Sequence, residues 1–158
     1  QSLGTDAIIE QFVEGRELYV GIMGNHRLQC FPVWELKFTK MPDDLHRIAT
    51  ERVKWSHKYQ RKHGIQAGAA KRLSEELTTR IYRVCRRVYR TLELSGYARI
   101  DLRLARDGRF YVLEANPNPQ IAFGEDFAES AERAGLSYET LLQRIMNVGL
   151  RWRPEHKG

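Results

Sequence analysis

The apolar positions change period several times along the chain. In residues 16–23, RELYVGIM, Leu18, Val20 and Ile22 alternate with their neighbours, the period-2 mark of a strand with one buried face. The run 7–12, AIIEQF, is expected to form a shorter strand. Residues 27–34, RLQCFPVW, predict a third, with Pro32 at its edge or end. Residues 37–65 are polar, basic and weakly periodic, which predicts a long, partly helical connection. From 70 to 95 the period is helical: Leu73, Leu77, Ile81, Val84, Val88 and Leu92 share a face, and Gly96 is expected to stop the helix. Residues 99–116 alternate again, around Asp107-Gly108. Asp126 with Glu129 resembles a capping pair for a short helix ending at Gly135. Leu141, Leu142, Ile145 and Met146 predict a last helix over 138–149. Arg151 to Gly158 reads as a flexible tail. Strands, connection, helix, hairpin and helices, in that order, predict an α+β domain with a largely antiparallel sheet flanked by helices.

The hairpin carries the chemistry. Asp107-Gly108 between alternating runs predicts a two-residue type I′ turn. Counting back from it, Leu104 faces Tyr111, Leu102 faces Leu113, Asp101 faces Glu114 and Arg99 faces Asn116. One face then holds Ile100, Leu102, Leu104, Tyr111, Leu113 and Ala115. The other holds Arg99, Asp101, Arg103, Val112, Glu114 and Asn116. Two carboxylates directly opposite each other repel. A divalent cation turns that repulsion into coordination, and Mg²⁺ takes oxygen ligands of this kind together with substrate phosphates. The other reading is a solvated face on which Arg99 and Arg103 neutralise the acids.

Composition narrows the classes. The 158 residues, 42% hydrophobic and 29% charged, suit one globular domain with a real core. No apolar run approaches the ~18 to 20 residues that span a membrane. The start, QSLGTDAIIEQ, does not read as a secretory leader. Cys30 and Cys85 have no metal-like spacing, and a cytoplasmic setting is expected. The net charge of +6 allows a polyanionic partner. Yet the basic residues concentrate in 52–90 on helix-like segments, and no nucleic-acid motif occurs. Nucleic acid is therefore not expected as the primary ligand.

Four stretches, IIEQFVEGRELYVGIMGN, ERVKWSHKY, GYARIDLRLARDGRFYVLEANPNP and ESAERAGLSYETLLQRIM, occur in the order found in ATP-grasp enzymes. The chain resembles the C-terminal part of D-alanine–D-alanine ligases and related carboxylate–amine ligases, over residues 7–150. The R-x-D with a downstream L-E-x-N is the most specific element. The resemblance implies that Asp101, Glu114 and Asn116 hold two Mg²⁺ ions (Mn²⁺ as a substitute) bridging the phosphates of ATP. It implies that Arg99 lies near the transferring phosphate. Glu10, Gln11, Phe12 and Val13 would meet the adenine edge, and Glu17 would accept from the ribose hydroxyls. Lys54 matches a phosphate-contacting lysine, with Lys37 as the competing candidate. His57 and His63 lie in the same connection and are expected to be solvated.

Two departures qualify the resemblance. Residues 1–150 would be one lobe of an ATP-grasp domain whose upstream lobe and N-terminal domain are absent, and no G-x-x-x-x-G-K-[ST] replaces them. And after Asn116 the run Pro117-Asn118-Pro119-Gln120-Ile121-Ala122 puts Gln120 where D-alanine ligases have a glycine serving the intermediate. The expectation is thus the nucleotide- and metal-binding half of an ATP-dependent carboxylate–amine ligase working through an acyl phosphate. Its partners would be ATP, small carboxylate and amine substrates, and the missing N-terminal part. The isolated chain would be inactive and prone to form a homo-oligomer. The alternative is a non-catalytic nucleotide- or polyanion-binding module.

Overall fold

The computed structural model describes residues 6, 9–42, 48, 53 and 56–153, without the side chain of residue 57. Six strands form one antiparallel sheet: β1 (Gly15–Met23), β2 (Gln29–Cys30), β3 (Trp34–Phe38), β4 (Ile65–Ala69), β5 (Tyr97–Ala105) and β6 (Phe110–Asn116). The order is β4-β3-β1-β5-β6, with β2 beside β1. Among the described residues four helices with defined bounds flank it: α1 (His57–His63), α2 (Glu75–Thr91), α3 (Asp126–Arg133) and α4 (Tyr138–Leu150).

Alternation decides what each sheet face touches. Leu18, Val20 and Ile22 of β1 and Ala98, Ile100, Leu102 and Leu104 of β5 bury one face against Ile81, Cys85 and Tyr89 of α2. Those three helix residues recur every fourth position, so one stripe of α2 covers the sheet. On the opposite face, Met23 packs with Phe31 and with Phe127, Ala128, Ala131 and Leu141 of α3 and α4. These two helices cover the Met23 end, and α3 also meets β4. The remainder of that face carries polar residues.

Several expected elements differ. Residues 9–12 of the expected first strand are irregular, and residues 7 and 8 lie outside the described residues. The expected strand over 27–34 shortens to β2: the Phe31 N–H still meets the Gly21 carbonyl at 2.8 Å, but Pro32 has no N–H to donate and regular pairing with β1 stops there. Regular pairing resumes at Trp34; β3 runs over the start of the stretch read as a connection, and β4 begins at its last residue, Ile65. Helix α2 ends before Gly96: Glu93 takes φ +52°, its N–H meeting the Arg90 carbonyl and that of Leu94 meeting Tyr89. This Schellman stop satisfies the terminal carbonyls three residues early. Asp126 is not a cap. Glu125 occupies the N-cap position and Asp126 opens the first turn of α3.

The hairpin is closed differently from the two-residue expectation. Ala105 pairs with Arg109 around a three-residue loop, and Gly108 alone takes positive φ, at +80°. A type I′ turn needs two such residues. Leu104 therefore faces Phe110, Arg103 faces Tyr111 and Leu102 faces Val112, each one residue off. A bulge between Asp101 and Leu102 then inserts one residue on β6. Beyond it Asp101 faces Glu114 and Arg99 faces Asn116, as counted from the sequence. Tyr111 and Leu113 consequently leave the core face and are 39% and 50% exposed.

Gly21 sets the seat of α3. A Cβ there would stand 2.8 Å from Phe31 and 3.1 Å from Phe127, whose rings meet edge to face at 5.3 Å. Gly21→Ala should overpack this contact and cost about 1–3 kcal/mol, read as a lowered urea midpoint with unchanged slope. A neutral Gly21→Ala would contradict the close packing.

Candidate functional site

The uncovered polar face is built by period-2 alternation on β1 and β5. Glu17 faces Arg103, Tyr19 faces Asp101 and Gly21 faces Arg99. Arg99 donates two hydrogen bonds to Asp101, at 2.7 and 2.8 Å. Its guanidinium lies 4.6 Å from the centre of the Tyr19 ring. The Tyr19 hydroxyl donates to Glu17 at 2.9 Å, and Glu17 pairs with Arg103 at 3.2 Å. Five side chains thus form one continuous layer, Arg103–Glu17–Tyr19–Arg99–Asp101. Glu17, Tyr19, Asp101 and Arg103 are all buried. Burial and the neighbouring carboxylates push the Tyr19 phenol far up, so it stays a donor. Burial opposes the charge on Arg99, but Asp101 more than restores it.

Beside this layer lies a cavity of about 660 Å³. Its polar wall includes Tyr19, Arg99, Asn116, Gln120, Glu125 and Asp126, and Leu36 and Ile65 stand among its apolar residues. Asp126 reaches it because α3 starts over the sheet with Phe127 seated at Gly21. Burial pushes the Asp126 carboxyl up to about 6; Arg99 works against that shift, Glu125 and Asp101 add to it, and a hydrogen bond with Trp34 lowers it.

The structure brings part of the expected set together. Arg99 and Asn116 line the cavity, and Asp101 stands under Arg99, facing an exposed Glu114. The Asn116 side-chain Oδ1 accepts from the Asn118 backbone N–H at 2.9 Å. Glu17 is not at the cavity wall but beneath it, held by Tyr19 and Arg103. Glu10, Gln11 and Phe12 are exposed and outside any strand, although Arg103 lies 5.7 Å from the Phe12 ring centre on the same sheet face. Lys37 sits on β3 and donates to the Ala69 carbonyl at 3.4 Å. His63 is buried and its ring lies 4.2 Å from that of Tyr59, not solvated. Lys54 and the side chain of His57 lie outside the described residues. Sequence reasoning missed Trp34, Tyr19 and Asp126. For Asp126 the signal was an acid beside a second acid at a helix start, which capping also explains.

Among the described residues no three or more His, Cys, Asp and Glu side chains gather as a metal cluster. The donor set at the hairpin is two facing carboxylates and an amide. These are hard oxygen donors of the type Mg²⁺ prefers. Arg99 holds both oxygens of Asp101, at 2.7 and 2.8 Å, so a cation there would share the carboxylate with the guanidinium. The residues therefore fit a partial shell that phosphate and water oxygens would complete.

The profile of the D-ala D-ala ligase C-terminus family matches residues 2–147. The D-alanine–D-alanine ligase of Desulfotalea psychrophila is 28% identical over 156 residues, covering 96% of this chain and 44% of that protein. An uncharacterised protein, y4sG, of Sinorhizobium fredii is also 28% identical, over 92% of this chain and 41% of its own length. The structure of the Bacillus anthracis D-alanine–D-alanine ligase complexed with ATP superposes with a TM-score of 0.68 at 24% identity, over 90% of this chain and 40% of that one. The antiparallel sheet with its flanking helices is thus the C-terminal part of a D-alanine ligase-like ATP-grasp fold. The chain belongs to the D-ala D-ala ligase C-terminus family. It spans less than half the length of these relatives. Among the described residues no helix is long and apolar enough to cross a membrane.

Asp126 gives a pH-dependent prediction. A carboxyl whose folded pKa lies above its unfolded value binds more protons folded than unfolded, so stability falls as pH rises from about 4 to about 6 and is level above. Asp126→Asn should therefore stabilise the chain by on the order of 1–3 kcal/mol near neutral pH. The gain should vanish near pH ~3, below both pKa values, where wild-type Asp126 is largely protonated folded and unfolded. Urea unfolding of both proteins at the two pH values reads this. Equal gains at both would show that burial does not penalise the charge.

Proposed function

We propose that this chain is the nucleotide- and metal-binding half of an ATP-dependent carboxylate–amine ligase. The observation that carries the reading is the cavity-side constellation: Arg99 bidentate on buried Asp101, with Glu114 and Asn116 facing that pair across the hairpin. Asp101, Glu114 and Asn116 would hold Mg²⁺, which supplies charge neutralisation on the ATP phosphates when bound. Arg99 would face the transferring phosphoryl group, where positioned positive charge is worth most in a water-poor site. Residues 10–13 would meet the adenine and Glu17, an acceptor-only side chain, the ribose. Lys54 would add a phosphate contact.

The reaction splits into two displacements. A substrate carboxylate oxygen attacks the γ-phosphorus, an O–P bond forms, and the bond to the β-phosphate oxygen breaks to release ADP. The amine nitrogen then attacks the acyl carbon, a C–N bond forms, and the C–O bond to phosphate breaks. Phosphate leaves with that electron pair, and the amine loses its proton to phosphate or water.

The exposed edge strand β6 supports a contact with the rest of such an enzyme. Tyr111, Val112 and Leu113 are 39, 40 and 50% exposed there, an apolar edge that isolated proteins usually blunt. A rival reading, a non-catalytic polyanion-binding module, rests on Arg80, Arg83, Arg87 and Arg90, which are all exposed on α2. Nucleotide titration separates the two. ATP should bind weakly, with about −4 kcal/mol, and only with Mg²⁺. Glu114→Gln should remove the Mg²⁺ dependence. Tight binding independent of Mg²⁺, lost on neutralising the α2 arginines, would favour the module. The 158-residue chain alone should release no phosphate from MgATP with any amino acid. Without an opposing wall it forgoes positioning, worth about 7–11 kcal/mol of barrier. Release at about 1–10³ per second would make it a complete catalyst.

A further inference from the structure

Arg99 reaches the cavity held by two contacts of different kinds. Asp101 accepts from its Nε and from a terminal nitrogen, at 2.7 and 2.8 Å. The Tyr19 ring centre lies 4.6 Å from its guanidinium carbon. The first contact is open to competition, because a cation at the hairpin would share the Asp101 carboxylate with the guanidinium. The second is not. A ring face attracts a guanidinium through its quadrupole, but it is not the oxygen ligand that Mg²⁺ takes. Tyr19 is itself fixed. Alternation on β1 puts it on the polar face, opposite Asp101 of β5. It is buried yet borders the cavity. Its hydroxyl donates to Glu17 at 2.9 Å, and Glu17 pairs with Arg103 at 3.2 Å. A tyrosine side chain turns about two angles, and anchoring the hydroxyl restrains both.

We infer that Tyr19 is the positioning residue of Arg99: its ring keeps the guanidinium at the cavity while a bound cation draws on Asp101, and the Glu17–Arg103 pair behind its hydroxyl fixes the ring. This rests on the ligase reading and deepens it. Tyr19 acts through Arg99 and not on the ligand. Glu17, which lies beneath the cavity wall, thereby acts on the phosphate side of the site as well. A phenylalanine would keep the platform without the anchor, and an aliphatic residue would supply neither. The two parts of the relay can therefore be separated by substitution.

The test follows the Nε–H resonance of Arg99 in the 158-residue chain, identified as the signal missing from Arg99→Lys, without ligand, with Mg²⁺ and with MgATP. The ring current displaces this signal, and the displacement should persist when either ligand is added. Tyr19→Leu should move the signal to the position of an arginine held by a carboxylate alone. Its exchange with water should rise about tenfold, and further with Mg²⁺, as the side chain opens more often. MgATP binding should weaken severalfold. Tyr19→Phe should restore the signal position and most of the affinity, with exchange still faster than in the wild type. Ile81→Val, in the core under α2 on the other sheet face, lowers stability alone and should leave the signal in place. A second measurement needs no variant: Overhauser contacts between the Tyr19 ring and the Arg99 side chain should survive added Mg²⁺. An unmoved signal in Tyr19→Leu, equal displacement in Tyr19→Leu and Tyr19→Phe, the same displacement in Ile81→Val, or loss of the Overhauser contacts with Mg²⁺ overturns the inference. Absence of Mg²⁺-dependent ATP binding by the wild type, with the Arg99 signals behaving as stated, overturns the ligase reading and leaves Tyr19 holding Arg99.

Discussion

Arg99 and Asp101 lie two residues apart on one strand, and their bidentate pair is the constraint on which the cavity side of the molecule depends. Alternation places both on the face that α2 does not cover. Burial there is tolerable only because each charge has the other, and because Tyr19, Glu17 and Arg103 extend the compensation across to β1. Breaking such a pair by removing one partner typically costs about 3–5 kcal/mol, since a buried charge is left behind. The same layer keeps the sheet from sealing with apolar side chains. A single sheet thus has a conventional core against α2 and a polar floor beneath a cavity.

Helix α3 converts that floor into a site. Gly21 removes the one side chain that would hold Phe127 away from the sheet. The seat of Phe127 then determines where Asp126 meets the cavity. The Schellman end of α3, with Gly135 at φ +85° and Leu136 reaching back to the Ala131 carbonyl, turns the chain directly into α4. Positive and negative groups are in this way held on opposite sides of a common space: Arg99 over the hairpin, Glu125 and Asp126 at the helix start. Preorganised charge of this kind acts without rearrangement when a ligand enters.

The facing of Asp101 with Glu114 was legible from the sequence through two one-residue differences that cancel. The loop is one residue longer than the Asp107-Gly108 pattern implies, and the bulge on β6 returns the missing residue before the acids are reached. Hydrophobic alternation also revealed β1, and helical spacing revealed α2 and α4. It could not reveal β4, because IQAGA has small residues where a strand signal needs branched or aromatic ones. Nor could it find β3, whose buried residues Trp34 and Glu35 break the apolar–polar rule through the Arg16–Glu35 pair at 2.7 Å. Asp126 was visible as an acid near a helix start. Its burial beside Arg99 is a tertiary fact that no local pattern contains.

The most direct measurement of the central claim is paramagnetic broadening of backbone amide signals by Mn²⁺ in the presence of ATP. If the facing acids and amide of the hairpin are the metal site, broadening should centre on residues 101, 114 and 116 and fade along β5 and β6. It should disappear with Glu114→Gln. Broadening centred on the arginine face of α2, spread evenly over the chain, or unaffected by that substitution would contradict the account.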